Sequence, residues 1–330
     1  MDTGLRPLSM GEVLDRTFQL YRAHFLMFAG ISTFAAGLDL VWKLIQTSAV
    51  QMIGHRMAVA TLGFVNAGLS LVNLMVYIIA SAVAMAAINR AVSAIYLGQS
   101  TGISQSYREV MPHWFRYVWL YVVAAFLAWG PAVVLFLVFV VGAFAIPGVA
   151  GSATGLIFMA MFGMSLFALI PFGIWMMLRY SLANASSVFE DMGIRASLKR
   201  SVFLTKGAQQ KVNIFVLLFL TGVISAVVTY ACLTPLFILV VRSMMNHTTP
   251  ALTLGMTIYT LLVGFVTTSI TIPIYAIGLT LFYYDARIRK EGFDVEWMML
   301  RAAPPEMPIA PPLPEAPPLV EAPPAGSTLG

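Results

Sequence analysis

Charge is scarce in this chain: Asp, Glu, Lys and Arg together fill 10% of 330 positions, where a soluble domain carries about a quarter. A water-facing surface of this size cannot be built from so few ions, so a soluble globular fold is excluded. Cysteine is scarcer still. The one thiol, Cys232, lies in an apolar stretch and makes neither an intrachain disulfide nor a cysteine-based metal site. The four histidines (His24, His55, His113, His247) fall in four separate loops or helix ends, which leaves no metal-ligand spacing. Basic residues never run together with interleaved aromatics, so no nucleic-acid surface is expected. No glycine-rich phosphate loop and no nucleophile–base pairing occurs, and no catalytic constellation or cofactor is expected. No cleavable leader is expected either, because Asp2, Arg6, Glu12, Asp15, Arg16 and Arg22 occupy the first two dozen residues without an apolar core. The first apolar helix is expected to act as an uncleaved anchor.

What the chain has instead is hydrophobicity, at 59% of residues. Six apolar stretches stand out: Phe25–Trp42, Leu62–Ile88, Tyr117–Ile146, Gly155–Leu178, Val212–Val241 and Leu252–Tyr284. About 20 apolar residues suffice to cross the hydrocarbon core. With the N-terminus inside, sixteen of the 19 basic residues fall on the cytoplasmic side and three (Lys43, Arg56, Arg242) outside. That bias sets orientation. The expected fold is all-α: a polytopic bundle of six transmembrane helices, arranged as three hairpins with cytoplasmic interfacial helices. Both ends face the cytoplasm, in an inner or plasma membrane.

The expected domains are a cytoplasmic arm with an amphipathic helix (1–24), a six-helix transmembrane domain with cytoplasmic helical loops (25–302) and a tail (303–330). Ser9 and Glu12 form a Ser-x-x-Glu capping box at a helix start. Met10, Leu14, Phe18, Tyr21 and Phe25 then trace one apolar face, fit either for the headgroup layer or for packing under the bundle. A threefold repeat is suggested by Leu14–Phe18, Tyr107–Met111 and Leu198–Val202, spaced 93 and 91 residues apart, one polar segment before each hairpin. Ten of the 18 prolines lie between Pro304 and Pro324, so the tail is expected to be extended and disordered, with Pro311-Pro312-Leu313-Pro314 a weaker candidate for polyproline recognition.

Ionisable groups inside a bilayer are functional candidates because they are costly there. Asp39 is the clear case, with Lys43 four residues on along the same helical face. A structural ion pair is the plainer reading, a proton or cation site the sharper one. Asn73 and Asn66, with Thr267, Thr268, Ser269 and Thr271, are the other intramembrane polar points and suit helix-to-helix hydrogen bonds. Pro171 and Pro273 release backbone carbonyls that could line a path. The basic loop with Arg195, Lys199 and Arg200 suits anionic lipid headgroups, as well as topology.

Three motifs occur in order: Leu5-Arg6-Pro7-Leu8-Ser9-Met10-Gly11-Glu12-Val13-Leu14-Asp15-Arg16 with Tyr21, Arg22 and Phe25; Glu190 with Arg195-Ala196-Ser197-Leu198-Lys199-Arg200-Ser201 and Leu204-Thr205-Lys206-Gly207; and Tyr283-Tyr284-Asp285-Ala286-Arg287-Ile288-Arg289-Lys290-Glu291-Gly292-Phe293-Asp294. Together they resemble the bacterial six-helix family named for the membrane domain of glycerophosphoryl diester phosphodiesterase. The resemblance implies kinship of the membrane part only, since catalysis in those enzymes belongs to a separate barrel for which this chain has no room. Asp15, Arg16, Glu190, Arg195, Arg200, Asp285, Arg287 and Glu291 are expected to form a cytoplasmic ion-pair network tying the three units together. The functional expectation is a non-enzymatic structural or accessory protein of the cell envelope. The alternatives are a small transporter with proline-bent helices and, more weakly, a lipid-acting membrane enzyme.

Overall fold

A backbone that crosses lipid must satisfy its own N–H and C=O groups, because hydrocarbon offers no hydrogen bonds. This chain does so with helices alone. The computed structural model describes residues 7–54, 57–96, 98–145, 153–245 and 253–292 and residue 299, and no strand occurs among them. The chain opens with α1 (Met10–Ala23), followed by a hairpin of α2 (Phe25–Gly54) and α3 (Val59–Tyr96). Next come α4 (Ile103–Val110), a short 3-10 turn, and a hairpin of α5 (Trp114–Ala145) and α6 (Ala153–Tyr180). Two short helices, α7 (Ala183–Phe189) and α8 (Ile194–Leu204), lead to the last hairpin, α9 (Ala208–Met245) and α10 (Thr253–Glu291). All six long helices are long and apolar enough to span a bilayer. The chain is a multi-pass membrane protein with an all-α fold.

The three proposed repeat segments fall on α1, on α4 with its following turn, and on α8. Each hairpin is therefore entered from a short helix. Local chemistry sets the boundaries. Ser9 accepts from the Glu12 N–H and Glu12 accepts from the Ser9 N–H, completing the capping box of α1. At the end of α3, Gly98 has φ +79, its N–H reaches the Ile95 carbonyl and Gln99 reaches Ala94. That is a Schellman stop, which needs a left-handed residue. Gly292 (φ +66) closes α10 in the same spirit, donating to Ile288. The Pro-rich tail, 303–330, lies outside the described residues.

The first and second helices of each hairpin run in opposite directions, so the start of one and the end of the next meet at the level of the short helices. The protein core lies there, built from Val13, Phe28 and Ile31, from Ala82–Val92 of α3, from Leu182 and Leu204, and from Ile274–Ala286 of α10. Small residues let helices approach: a Cβ placed on Gly278 of α10 would come within 2.6 Å of the Leu217 side chain on α9. Buried polar rungs add direction to this packing. Thr280 donates to Asn89 at 3.0 Å, and Ser93 and Tyr284 share a 2.8 Å bond, both joining α10 to α3.

Helix α1 docks on the bundle, with its buried line running through Val13, Thr17 and Tyr21 and the expected Met10, Leu14 and Phe18 only flanking it. The offset arises because Thr17 hides its hydroxyl on the Val13 carbonyl and Tyr21 donates to the Ile270 carbonyl of α10. The second hairpin differs from its neighbours. In the most apolar stretches of the α5 and α6 spans only 11% and 6% of residues are buried, against 50% for α10. Its outer half holds together through Phe139, stacked on Phe158 at 4.9 Å and Phe162 at 4.0 Å.

Candidate functional site

At the core end of the bundle the three motif segments meet. Arg200 of α8 lies 2.9 Å from the Glu190 carboxylate and grips Glu291 of α10 with both terminal nitrogens. Glu291 also takes a 3.2 Å bond from Arg287, and Tyr283 donates its hydroxyl to Glu190. The two carboxylates, Glu291 foremost, hold the Arg200 guanidinium protonated well above its ordinary value. Asp285, buried on α10, accepts from the Leu8 N–H at 2.8 Å and from Arg289 at 2.8 Å. Lys290 donates to the carbonyls of Phe203, Leu204 and Lys206, which close α8. A separate pair, Arg116 of α5 with Asp191 at 2.6 Å, fastens the turn between α7 and α8, where Asp191 adopts φ 48.

This clamp contains Glu190, Arg200, Asp285, Arg287 and Glu291. Asp15 and Arg195 are exposed and Arg16 is half-buried, and none of the three forms an ion pair among the described residues. Arg16 lies instead within electrostatic reach of Tyr96 on α3. Arg200, expected to be available to lipid headgroups, is occupied by two carboxylates instead.

Asp39 bonds Lys43 at 2.7 Å and accepts from Asn73 of α3 at 3.1 Å, so the amide and the ammonium share it. Asn66 accepts from Gln46 about two helical turns further along the same hairpin, and Thr267 pairs with Thr229 at 3.2 Å. These polar points zip helices together. The carbonyl that Pro273 leaves without its helical donor is that of Ser269, and the Ser32 hydroxyl donates to it at 2.6 Å. It is therefore closed to a passing solute.

Deeper in the bundle, α3, α5, α6, α9 and α10 leave two adjoining cavities of about 310 and 260 Å³. Met85, Tyr121, Met177 and Tyr275 border both, making one cleft. No charged side chain lines it among the described residues. Tyr77, Tyr121 and Tyr275 bring phenol groups to the first cavity, and none donates to a protein acceptor among the described residues. Asn184 borders the second, its Oδ1 buried and without a hydrogen-bond partner. A polar group left unpaired in an apolar setting costs about 1–3 kcal/mol by mutational measures. The cleft thus suits a neutral molecule with an apolar body and one or two hydrogen-bonding groups.

Sequence reading passed over these tyrosines because it searched the spans for charge. The usable signal was depth. Interfacial tyrosines belong near span ends, whereas Tyr77 and Tyr275 lie well inside α3 and α10. Among family models, curated proteins and solved structures, none matches this chain.

Proposed function

We propose that this chain is a non-enzymatic accessory protein of the bacterial inner or plasma membrane that takes a neutral amphipathic molecule from the bilayer into the tyrosine-lined cleft. One observation carries the reading: three phenols and the Asn184 carbonyl face a charge-free cavity without protein partners among the described residues. A ligand hydroxyl or carbonyl would meet them, and its chain would lie against Met85 and Met177. A charged ligand would enter without a counter-charge.

The clamp supports the non-enzymatic part. Glu190 and Glu291 share this rim, and both are bound by Arg200. Motif segments that resemble the phosphodiesterase membrane domain thereby have a structural use that requires no catalytic barrel. Orientation with both ends in the cytoplasm rests on the sixteen-to-three bias of basic residues. In that orientation the exposed Arg195 and Lys199 of α8 face anionic headgroups of the inner leaflet.

The test is lipid mass spectrometry on the full chain purified in mild detergent. A neutral lipid should be retained near one per protein, and Tyr121→Phe with Tyr275→Phe should lower retention about tenfold, as loss of two hydrogen bonds implies. Equal retention by the variant would remove the cleft from the account. Hydrolysis of a glycerophosphodiester that disappears in Glu190→Gln would instead establish an enzyme. For orientation, Ser104→Cys in a Cys232→Ser background should react with an impermeant maleimide only from the cytoplasmic face.

A further inference from the structure

Where α6 meets α9, two cations share one aromatic ring. Arg179 lies in the last turn of α6, its guanidinium 5.3 Å from the centre of Trp175 and 6.0 Å from that of Tyr180. Lys211, in the opening turns of α9, brings its ammonium within 5.4 Å of the same Trp175 ring. Cation–π contact favours each approach separately. Together they concentrate like charge, and no carboxylate pairs with either among the described residues.

The other cations of this end make an instructive contrast. Arg200, Arg287 and Arg289 sit on carboxylates, and Lys290 on three carbonyls. Arg179 has no such acceptor, and its Nε is buried with no hydrogen-bond partner. Its main chain is nevertheless held firmly, since Ser201 and Thr205 both donate to the Arg179 carbonyl. The first turn of α9 contains no acidic residue either, so its positive end has no carboxylate of its own. A fixed guanidinium with an unmet donor, a neighbouring ammonium and a helix end without its own carboxylate all ask for one anion.

We propose that Arg179 and Lys211 hold the phosphate of an anionic phospholipid headgroup. A phosphodiester oxygen accepts from the guanidinium, whose planar fork matches it, and Lys211 supplies a second point of charge. The lipid source is favoured over a dissolved anion by what borders the cations. Trp175 is half-exposed on an otherwise apolar helix, a placement that marks headgroup depth. Phe215, one turn beyond Lys211 on the same side of α9, is exposed and available to an acyl chain, as is Val212. This site is separate from the cleft and does not depend on it.

Native mass spectrometry of the full chain, with phosphatidylglycerol, phosphatidylcholine or inorganic phosphate added, tests the assignment. Phosphatidylglycerol should bind in preference to phosphatidylcholine, and Arg179→Gln with Lys211→Gln should weaken it about tenfold. Arg179→Lys with Lys211→Arg, which keeps both charges, should retain most of that binding, and Arg108→Gln, at an exposed position of α4, should leave it unchanged. Undiminished phosphatidylglycerol binding by the neutral pair would overturn the proposal. So would an equal loss in the charge-keeping pair, which would mark a packing role. Displacement of the lipid by millimolar inorganic phosphate would reassign the site to a soluble anion and overturn the lipid source.

Discussion

Arg200 on α8 and Glu291 at the end of α10, 91 residues apart in sequence, form a two-pronged ion pair. Because Glu190 shares the same guanidinium, replacing Arg200 leaves Glu291 with Arg287 alone and Glu190 with the Tyr283 hydroxyl and a more distant Arg287. Arg200→Ala should cost about 3 kcal/mol, the scale of breaking such a pair by removing one partner. Glu291→Gln, which leaves Glu190 paired, should cost about 1 kcal/mol. Thermal unfolding in detergent, followed by size-exclusion chromatography, ranks the two. Equal, small effects would show that the clamp is ornamental.

Asp285 works differently, by accepting the main-chain N–H of Leu8 before α1 begins. Asp285→Ala should free the N-terminal arm and lower stability by about 2 kcal/mol, as for a buried donor left unmet. Asp285→Asn, which keeps one carbonyl oxygen, should recover part of it. Protease cleavage within the first twenty or so residues, expected to rise in Asp285→Ala alone, reports on the arm directly.

Ser32 and Pro273 make a reciprocal pair. The Ser32 hydroxyl serves the Ser269 carbonyl because proline at 273 has no N–H to give. Ser32→Ala should therefore destabilise the wild type by about 1 kcal/mol, yet be close to neutral in a Pro273→Ala background, where the helix regains its own donor. A double-mutant cycle measures the coupling. Additive effects would mean the two residues act separately.

The Arg116–Asp191 pair gives a pH signature. The hydrogen bond from Arg116 holds the Asp191 carboxyl below the ordinary aspartate value. A lowered carboxyl pKa stabilises the fold at pH above the unfolded value, and that contribution disappears as pH falls through the folded one. The melting-temperature gap between wild type and Asp191→Asn should be widest near neutrality and close below about pH 3.9, the free aspartate value. A gap independent of pH would assign the effect to the left-handed backbone at Asp191.

Legibility in the sequence followed the distance between partners. Ser9 and Glu12 lie within one turn of each other, and that cap is readable from spacing. Six spans were readable from run length, since lipid imposes one. Arg200 and Arg195 illustrate the opposite case. Both are cations of one loop, and only the rotational phase of α8 against α10 sends one into the clamp and the other to the surface. That phase goes with buried Ser197, Ser201 and Leu204: the Ser197 carbonyl accepts from Ser186 of α7, and Ser201 donates to the Arg179 carbonyl of α6. The cleft was hidden for a related reason, because Tyr121 and Tyr275 become neighbours only after the second and third hairpins pack.

The outer half of the second hairpin rests on lipid more than on protein. Its orientation is therefore not set by the core, and membrane thickness becomes its main external constraint. A thinner bilayer is met by tilt, and Tyr117 and Leu178, both buried, mark where α5 and α6 are held by the core. The short helices at the other end are buried in the core, so a change of membrane thickness bears on the far half of this hairpin rather than on them.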